Sequence, residues 1–394
     1  MNICIFEPYI LEHEYGNQKY LSGLVKYLET NTLNIYIFVQ KSNAFIEKLR
    51  KFGAKIVVID PPEKMKIFGK DLLRENLFRK ILTVRDLISY SRKIGYFLKK
   101  YDIDIIQSNN LRSVISIGFS ALVCRIPIIW YIKGHLENRL LDNLSFLMVS
   151  KVVFQSRSNK ERAYPLARKI FENKMIIIEN GIDLEEISNS ICLERIETVK
   201  KDIFFSDNKR FNILYSGAIT SNKGIYDLLV AINYLKKRHI KVNLFILGAP
   251  STPSDVDYMK KLEKYISINS LTNISFLGYR NDAVSIASLM DLYILPSYAE
   301  GVPRSILEAF AVGLPVIATD VGGIKEIIEK SNAGIVVNPG DWESLAKRIE
   351  YLKENKEIRK SMGTNGKKYV WKNHSLDEKV KQLHDLYIEV YNNK

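Results

Sequence analysis

The sequence is poor in cysteine and lacks the spacing that cysteine-based sites need. Only three cysteines occur in 394 residues, and Cys4, Cys124 and Cys192 form no CxxC pair. Disulfide-rich domains and structural zinc sites both depend on closely spaced cysteines. Both are therefore excluded, and three scattered cysteines are typical of buried side chains in a reducing compartment.

Long apolar runs and targeting signals are also lacking. The longest apolar stretch, residues 114–132, is interrupted by Arg125 and Pro127, whereas a membrane-spanning helix needs about 20 mostly apolar residues. The opening residues MNICIFEP lead directly into a strand pattern, without the basic start and cleavage site of a secretory signal. We therefore expect a cytoplasmic protein without a membrane span. Tandem repeats and low-complexity segments are lacking as well.

What is present is a globular composition with an excess of positive charge. Apolar residues make up 46% and charged residues 26% of the chain, and the formal net charge is +14. This apolar content excludes a disordered chain. A length of 394 residues is typical of two domains, since single hydrophobic cores stop growing at about 250–300 residues.

Short runs rich in Ile and Val alternate with segments of helical periodicity in both halves of the chain. Examples are residues 33–39 (LNIYIFV), 54–60 (AKIVVID) and 241–248 (KVNLFILG). Such uninterrupted apolar runs are typical of strands buried on both faces of a parallel sheet. The predicted fold class is α/β, with two Rossmann-like doubly wound parallel sheets whose strand ends face each other across a cleft.

The predicted domain boundaries follow the breaks in this alternation. The first domain spans residues 1–185, and a charged stretch without periodicity, residues 186–210, is predicted to be a linker. Alternation restarts at Phe211, so the second domain spans residues 211–374. Residues 375–394 have a helical pattern, and we expect this helix to cross back to the first domain.

The most informative segment is residues 296–323, PSYAEGVPRSILEAFAVGLPVIATDVGG. Seven residues separate Glu300 from Glu308, across a strand end, a loop and a helix start. Unpaired amides at the helix start, residues 303–306, predict a phosphate-binding corner. A carboxylate in the loop can accept hydrogen bonds from hydroxyls, and one in the helix can bind a vicinal diol. The alternative for Glu308 is a capping box with Ser305.

This segment resembles the donor-binding signature of glycosyltransferase family 4, the retaining sugar transferases with the two-domain GT-B fold. That signature is a glutamate, seven residues, a second glutamate and then a turn and strand rich in Ala, Gly, Pro and Val. The chain has Glu300, Glu308, Gly313, Pro315 and Val316 in the same register. The tetrapeptide NGID at residues 180–183 and the pair Lys223-Gly224 extend the resemblance along the chain.

The resemblance assigns roles to these positions. It implies that Glu300 contacts the hydroxyls of the donor sugar at the reacting centre and that Glu308 binds the ribose of the nucleotide. Lys223 is expected beside the diphosphate, where it stabilises the leaving nucleotide. The remaining donor-binding positions, from the loop and helix start, are Val302, Pro303, Arg304 and Ser305.

Three positions depart from the family pattern or match it only in part. Ala218 stands five residues before Lys223, where the family has an arginine. Arg304 and Arg280 are candidates to replace that charge, and Arg304 is favoured because it lies at the helix start. Gly16 is the only glycine where the family shows a pair in its donor loop. His135 follows strand 127–132 and resembles the strand-end histidine near the reacting centre.

The implied reaction is transfer of a hexosyl unit with retention, by front-face substitution, without a metal or other cofactor. The co-substrate is a nucleotide-diphosphate sugar, with UDP favoured, and the acceptor is a glycan or lipid-linked glycan in surface polysaccharide biosynthesis. Two alternatives stay open. One is a nucleotide-sugar epimerase on the same fold. The other is a basic nucleic-acid-binding protein, although no nucleic acid is expected because the chain lacks a known binding module.

One strongly basic segment has no part in this assignment. Residues 64–100 contain 11 basic and 3 acidic residues, interleaved with apolar ones. The pattern is that of an amphipathic helix, which is either an ordinary surface helix or a site for anionic lipid. The second reading predicts peripheral association with the inner face of the membrane.

Overall fold

The structure, a computed structural model, describes residues 1–7, 16–28, 33–62, 77–134, 136, 138–203 and 210–394. In the helix that begins at Leu77, side chains are described from Arg85 onward. The chain divides into two compact units. Unit 1 comprises residues 1–178 together with residues 379–394, and unit 2 comprises residues 179–378.

Unit 1 is built on a parallel sheet of seven strands in the order β3-β2-β1-β4-β5-β6-β7. The strands are β1 (Asn2–Phe6), β2 (Asn34–Val39), β3 (Lys55–Val58), β4 (Ile105–Ser108), β5 (Ile128–Ile132), β6 (Lys151–Phe154) and β7 (Met175–Ile177). The central strands β4 and β5 are buried along their whole length, because helices cover both faces of a doubly wound sheet.

The helices of unit 1 connect successive strands. They are α1 (Gly16–Tyr27), α2 (Ala44–Lys51), α3 (Leu77–Lys100), α4 (Leu111–Cys124), α5 (Arg139–Met148), α6 (Arg157–Glu161) and α7 (Pro165–Phe171). Four of these pack side by side, α3 against α4, α4 against α5 and α5 against α7. Right-handed crossovers place helices of one strand direction on one face, so these four cover the same face of the sheet.

Unit 2 contains a parallel sheet of six strands in the order β10-β9-β8-β11-β12-β13. The strands are β8 (Phe211–Ser216), β9 (Val242–Leu247), β10 (Ile274–Gly278), β11 (Leu292–Leu295), β12 (Val316–Thr319) and β13 (Gly334–Val337). The predicted fold class is confirmed, since both units are α/β layers around doubly wound parallel sheets.

The helices of unit 2 enclose one hydrophobic core. They are α8 (Leu184–Ser190), α9 (Leu193–Asp202), α10 (Ile225–Lys237), α11 (Pro253–Ile268), α12 (Ala283–Ala287), α13 (Arg304–Ala311), α14 (Ile324–Ser331), α15 (Trp342–Glu354), α16 (Lys356–Asn373) and the start of α17 (Leu376–Asn392). None of the helices in the described ranges is both long enough and apolar enough to cross a membrane.

Most of the predicted linker, residues 186–210, is helical. Helices α8 and α9 occupy residues 184–202, and Ile187, Val199 and Ile203 are buried in the core of unit 2. Each short helix buries only one or two of its residues, so its charged residues obscure the apolar periodicity in the sequence. Residues 204–209 of the predicted linker lie outside the described residues.

The last helix, α17, returns the chain to unit 1. Its first residues belong to unit 2, whereas residues 379–394 belong to unit 1. The apolar side chains that this helix buries recur at a spacing of three or four residues. They are Val380, Leu383, Leu386, Tyr387 and Val390. The C-terminal segment is therefore part of the same compact unit as the N-terminal residues.

Replacing Leu383 with alanine should destabilise unit 1 rather than unit 2. Leu383 is 1% exposed, and removing a buried leucine side chain costs about 2–5 kcal/mol. Amide hydrogen exchange should accelerate in β4 and β5 and stay unchanged in β8 and β9. The exposed neighbour Lys381 serves as control, and Lys381→Ala should change stability by less than about 0.5 kcal/mol. Faster exchange in unit 2 alone would contradict the assignment.

Candidate functional site

The predicted donor-site residues of unit 2 lie in the loops and the helix start that follow two adjacent strands, β8 and β11. Strand β8 pairs with β9 on one side and β11 pairs with β12 on the other, so the chain leaves β8 and β11 in opposite directions. In open α/β sheets the ligand crevice forms at this point of divergence, beyond the carboxyl ends of the strands. Lys223 ends the short 3₁₀ turn Ser221–Lys223 after β8, and Glu300 lies in the loop after β11.

An ion pair joins these two loops. The Nζ atom of Lys223 lies 2.7 Å from Oε1 of Glu300, and the hydroxyl of Ser297 donates to the same oxygen at 2.7 Å. The Lys223 side chain is 25% exposed and that of Glu300 only 9%. A pair this close, in a partly buried place, fixes both side chains at the strand ends. The structure thus brings together two predicted residues that are 77 positions apart.

A second contact between the same two loops involves Tyr298. Its backbone amide donates to the carbonyl oxygen of Asn222 at 2.8 Å, and its hydroxyl donates to Oδ2 of Asp227 at 2.5 Å. The hydrogen bond to the Asp227 carboxylate raises the pKa of Tyr298 to about 12, with partial desolvation acting in the same direction. The tyrosine therefore stays neutral at physiological pH and keeps its donor role.

Two glycines allow the Glu300 loop to approach its neighbours closely. Gly224 has φ +64°, and a Cβ atom there would overlap the carbonyl oxygen of Pro296. Gly322 has φ +59°, and a Cβ there would overlap the carbonyl oxygens of Glu300 and Gly301. Because only glycine combines this conformation with such contacts, both positions fix the path of the loop.

Helix α13 begins at Arg304, with Pro303 as N-cap and no side-chain capping hydrogen bond. The capping box proposed for Ser305 and Glu308 is therefore wrong. Ser305 is already inside the first turn, where it has helical geometry and cannot act as N-cap. The first amides of a helix lack internal acceptors, and those of Arg304 and Ser305 lie at this position. Pro303 has no amide hydrogen and can contribute only shape, next to the buried Val302.

Arg304 connects helix α13 to the NGID tetrapeptide at residues 180–183. The Arg304 side chain is only 6% exposed, and its Nε atom lies 3.8 Å from Oε1 of Glu308. Its Nη1 atom donates to the carbonyl oxygen of Gly181 at 3.1 Å. Asn180 donates from Nδ2 to the carbonyl oxygen of Val302 at 3.2 Å. The tetrapeptide thus braces the residues on both sides of Pro303.

The second candidate for the missing arginine is engaged elsewhere. Arg280 forms hydrogen bonds of 2.8 and 2.6 Å with the carboxylate of Asp282 and a longer one of 3.4 Å with Asp202. The Asp282 hydrogen bonds raise the pKa of Arg280, and Asp202 adds to that effect. At Ala218 itself, the carbonyl oxygen accepts a hydrogen bond of 2.9 Å from the hydroxyl of Tyr215.

Tyr293 is a site residue that the sequence did not reveal. It is 1% exposed, and its hydroxyl donates to the carbonyl oxygen of Ser216 at 2.9 Å. Burial raises the pKa of Tyr293, and the carboxylates of Glu300 and Glu308 act in the same direction. With Ser216, Ser305 and Glu308, it lines a small pocket that is otherwise mostly apolar. Its signal in the sequence is one hydroxyl in the apolar strand LYIL.

The other predicted site residues belong to unit 1. Gly16 is the exposed first residue of α1, and the loop before it, residues 8–15, lies outside the described residues. His135 is also outside them, although its neighbours Lys133 and Gly134 directly follow β5. Within the described ranges, no group of three His, Cys, Asp or Glu side chains is arranged to bind a metal ion.

Comparison with known proteins identifies the second unit. Residues 197–369 match the family described as glycosyl transferases group 1. The chain is 24% identical to a capsular polysaccharide biosynthesis glycosyltransferase, CapM, of Staphylococcus aureus, over 87% of this chain and 92% of that protein. It is also 24% identical to an N,N'-diacetylbacillosaminyl-diphospho-undecaprenol alpha-1,3-N-acetylgalactosaminyltransferase of Campylobacter jejuni, over 87% and 88%.

Solved structures agree with this fold. A glycosyltransferase from Rickettsia africae superposes with a TM-score of 0.82 at 20% identity, covering 100% of this chain and 99% of that one. Anabaena Alr3699/HepE in complex with UDP and glucose gives 0.78 at 18% identity, with 98% of both chains covered. The chain therefore has the GT-B fold. The match of residues 197–369 to glycosyl transferases group 1 and the glycosyltransferase relatives confirm the resemblance found in the sequence.

Replacing Gly224 with alanine should cost more stability than the same change at Gly278. Both residues have φ near +65°, so an alanine at either position loses about 1–2 kcal/mol. A Cβ at Gly278 meets nothing within 4 Å, whereas at Gly224 it overlaps a carbonyl oxygen and costs a further ~1–3 kcal/mol. Denaturant unfolding measures the difference, and equal costs would show that this close approach has no role.

Proposed function

We propose that the protein transfers a hexosyl unit from a UDP-sugar to a glycan or lipid-linked glycan, with retention of configuration, in surface polysaccharide biosynthesis. The observation that carries the proposal is the Lys223–Glu300 ion pair of 2.7 Å at the strand ends of unit 2. One relative of the chain is named a UDP-Gal:alpha-D-GlcNAc-diphosphoundecaprenol alpha-1,3-galactosyltransferase, and one structural neighbour binds UDP and glucose. These names support UDP as the nucleotide.

Each polar group has a role that its chemistry suits. Lys223 and the amides of Arg304 and Ser305 bind the diphosphate, since a cation and a helix start both favour negative charge. Glu308, one turn into α13, accepts hydrogen bonds from the ribose hydroxyls. Glu300 binds the hydroxyls of the donor sugar. Val302 and Pro303 shape the wall beside the sugar.

The proposed reaction needs positioning and charge stabilisation, not a protein nucleophile. The departing phosphate oxygen takes the proton of the acceptor hydroxyl while the sugar passes through an oxocarbenium-like state. Negative charge develops on the diphosphate, where Lys223 and the start of α13 stabilise it. No metal ion or other cofactor is assigned a step. His135 remains a candidate near the reacting centre, and Gly16 remains a candidate for close backbone approach to the donor.

Arg304 serves the site through its backbone amide and through Glu308. Its guanidinium adds positive charge at the helix start, as expected for a replacement of the arginine missing at Ala218. However, that guanidinium is buried, with Gly181 and Glu308 as partners. We assign the side chain to positioning: it holds the Glu308 carboxylate and ties the helix start to the NGID tetrapeptide.

UDP should stabilise the protein through Lys223 and Glu308. A ligand at a hundred times its dissociation constant adds about 2.7 kcal/mol of stability, so thermal shift across a UDP titration gives the affinity. Lys223→Ala should weaken UDP binding at least about tenfold and Glu308→Gln at least about fivefold, because each removes a charge-assisted contact.

The exposed Lys325, whose Nζ atom lies 3.9 Å from carboxylate oxygens of Asp320 and Glu329, provides a control in the same unit. Lys325→Ala should leave UDP affinity within about twofold of the wild type, since long exposed pairs contribute little. UDP that does not stabilise the wild type, or that stabilises both site variants equally well, would contradict the assignment.

We also propose that the protein docks on an anionic membrane surface through unit 1, as a peripheral protein on the cytoplasmic side. Residues 64–76 of the basic segment lie outside the described residues. In its described part, α3 exposes Arg92, Lys93, Lys99 and Lys100. Basic side chains near an anionic surface contribute about 1 kcal/mol each.

The helices beside α3 add an apolar component to this surface. Ten large apolar side chains of α3, α4, α5 and α7 are exposed. They are Ile88, Tyr96, Phe119, Leu122, Val123, Leu140, Leu144, Leu147, Leu166 and Ile170. With α3 counted from Arg85 onward and the C-cap Arg125 of α4 included, these four helices together contain ten basic and two acidic residues. Exposed apolar side chains amid basic residues suit the interface of an anionic bilayer.

Vesicle cosedimentation tests this surface. The protein should bind vesicles of phosphatidylglycerol and phosphatidylcholine but not phosphatidylcholine alone, and binding should weaken at high salt. Leu147→Asn should lower binding several-fold, since Leu147 is 66% exposed on α5. Leu193 is 82% exposed on α9 of unit 2, and Leu193→Asn should have no effect. Equal binding to both vesicle types, or none, would remove the membrane proposal.

A further inference from the structure

A chain of buried polar side chains ends at the point of strand divergence in unit 1. Strand β1 lies beside β4, while β2 and β5 lie on their outer sides, so the chain leaves β1 and β4 in opposite directions. This is where an open α/β sheet binds ligands. Glu7 directly follows β1, Asn109 directly follows β4, and Lys133 follows β5.

Three hydrogen bonds connect the C-terminal helix to Glu7. The hydroxyl of Tyr387 donates to Oε1 of Gln107. The Nε2 atom of Gln107 donates to Oδ1 of Asn109 at 2.8 Å, and Nδ2 of Asn109 donates to Oε2 of Glu7 at 2.9 Å. Each hydrogen bond fixes the orientation of the next amide. This relay of Tyr387, Gln107 and Asn109 therefore delivers an N–H donor to the carboxylate of Glu7.

This relay occupies positions where apolar residues would be the ordinary choice. Gln107 lies between Ile5 of β1 and Ile129 of β5, and Gln107 and Tyr387 are both completely buried. Buried polar groups cost free energy unless they are hydrogen-bonded, and apolar side chains would avoid that cost. Stability alone therefore does not account for the relay, whereas a need to orient the carboxylate at its end does.

The carboxylate of Glu7 retains capacity to accept a further hydrogen bond. Among the residues that the structure describes, Oε2 is bonded to Asn109, and Oε1 has no hydrogen-bond donor. Burial raises the pKa of Glu7, while the charge of Lys133 and the hydrogen bond from Asn109 oppose that rise. A carboxylate with one oxygen fixed and the other available is suited to a hydroxyl group.

We propose that Glu7 binds a hydroxyl group of the acceptor sugar and that Asn109, Gln107 and Tyr387 are positioning residues for it. The inference deepens the proposed function and rests on it, because it assumes a sugar acceptor. In this proposal α17 does more than pack on unit 1, because it supplies Tyr387. The ligand class is a neutral or N-acetylated hexoside.

Direct binding of short glycosides tests the proposal. Titration calorimetry would measure the affinity of the full chain for a panel of octyl hexosides and octyl N-acetylhexosaminides. The wild type should bind at least one of them. Glu7→Gln should weaken that binding at least about tenfold, because a hydrogen bond to a charged acceptor is replaced by one to a neutral amide. Tyr387→Phe should weaken it at least about threefold.

Tyr90 provides a matched control for the relay. It is also a buried tyrosine of unit 1, and its hydroxyl donates to the carbonyl oxygen of Ile59 at 3.1 Å, outside the relay. Tyr90→Phe should leave glycoside affinity within about twofold of the wild type. Because it also removes a buried hydroxyl, it separates the effect of the relay from that of a general loss of stability. An equal effect of Tyr387→Phe and Tyr90→Phe would overturn the positioning role.

UDP-induced thermal shift separates this inference from the proposed function. All three variants should keep the wild-type shift, because Glu7 and the two tyrosines lie outside unit 2. Absence of binding by every glycoside, or unchanged affinity in Glu7→Gln, overturns the acceptor site even when UDP binds normally. Absence of UDP binding by the wild type instead contradicts the donor assignment.

Discussion

The ion pair between Lys223 and Glu300 is the interaction on which the account of unit 2 depends. Its two partners come from loops that leave adjacent strands in opposite directions, so nothing in the local sequence holds them together. Two glycines make the approach possible, since larger side chains at Gly224 and Gly322 would overlap the backbone of the Glu300 loop. The strand topology and the path of the loops thus bring the cation of Lys223 and the carboxylate of Glu300 together, at the strand ends where an open α/β sheet forms its ligand crevice.

Buried polar contacts hold the functional elements of both units in position. In unit 2, Asn180 and Arg304 connect the NGID tetrapeptide to the start of α13. In unit 1, Tyr387 and Gln107 connect the last helix to the central strand β4. Such groups are costly when unsatisfied, so each contact defines a unique geometry. The residues at the carboxyl ends of the strands are therefore oriented by buried side chains that need not touch a ligand.

Much of the fold and of the donor site could be predicted from the sequence, because those features depend on local patterns. Apolar runs of Ile and Val identify buried parallel strands, and the spacing of Glu300 and Glu308 is a property of neighbouring residues. Features set by distant contacts could not be found this way. The helices at residues 184–202 bury few side chains, and their charges hide the periodicity. The capping box failed because the helix begins at Arg304, one residue before Ser305. The roles of Tyr293, Glu7 and the apolar surface of unit 1 could not be predicted, because they depend on contacts with residues that are far away in the sequence.

The central claim is that the strand ends of unit 2 bind the nucleotide diphosphate of a sugar donor. A crystal structure of the protein with UDP tests this most directly. We expect the phosphates to contact Lys223 and the amides at the start of α13, and the ribose hydroxyls to contact Glu308. UDP bound away from these residues, with the Lys223–Glu300 pair and Glu308 making no contact to it, would contradict the claim.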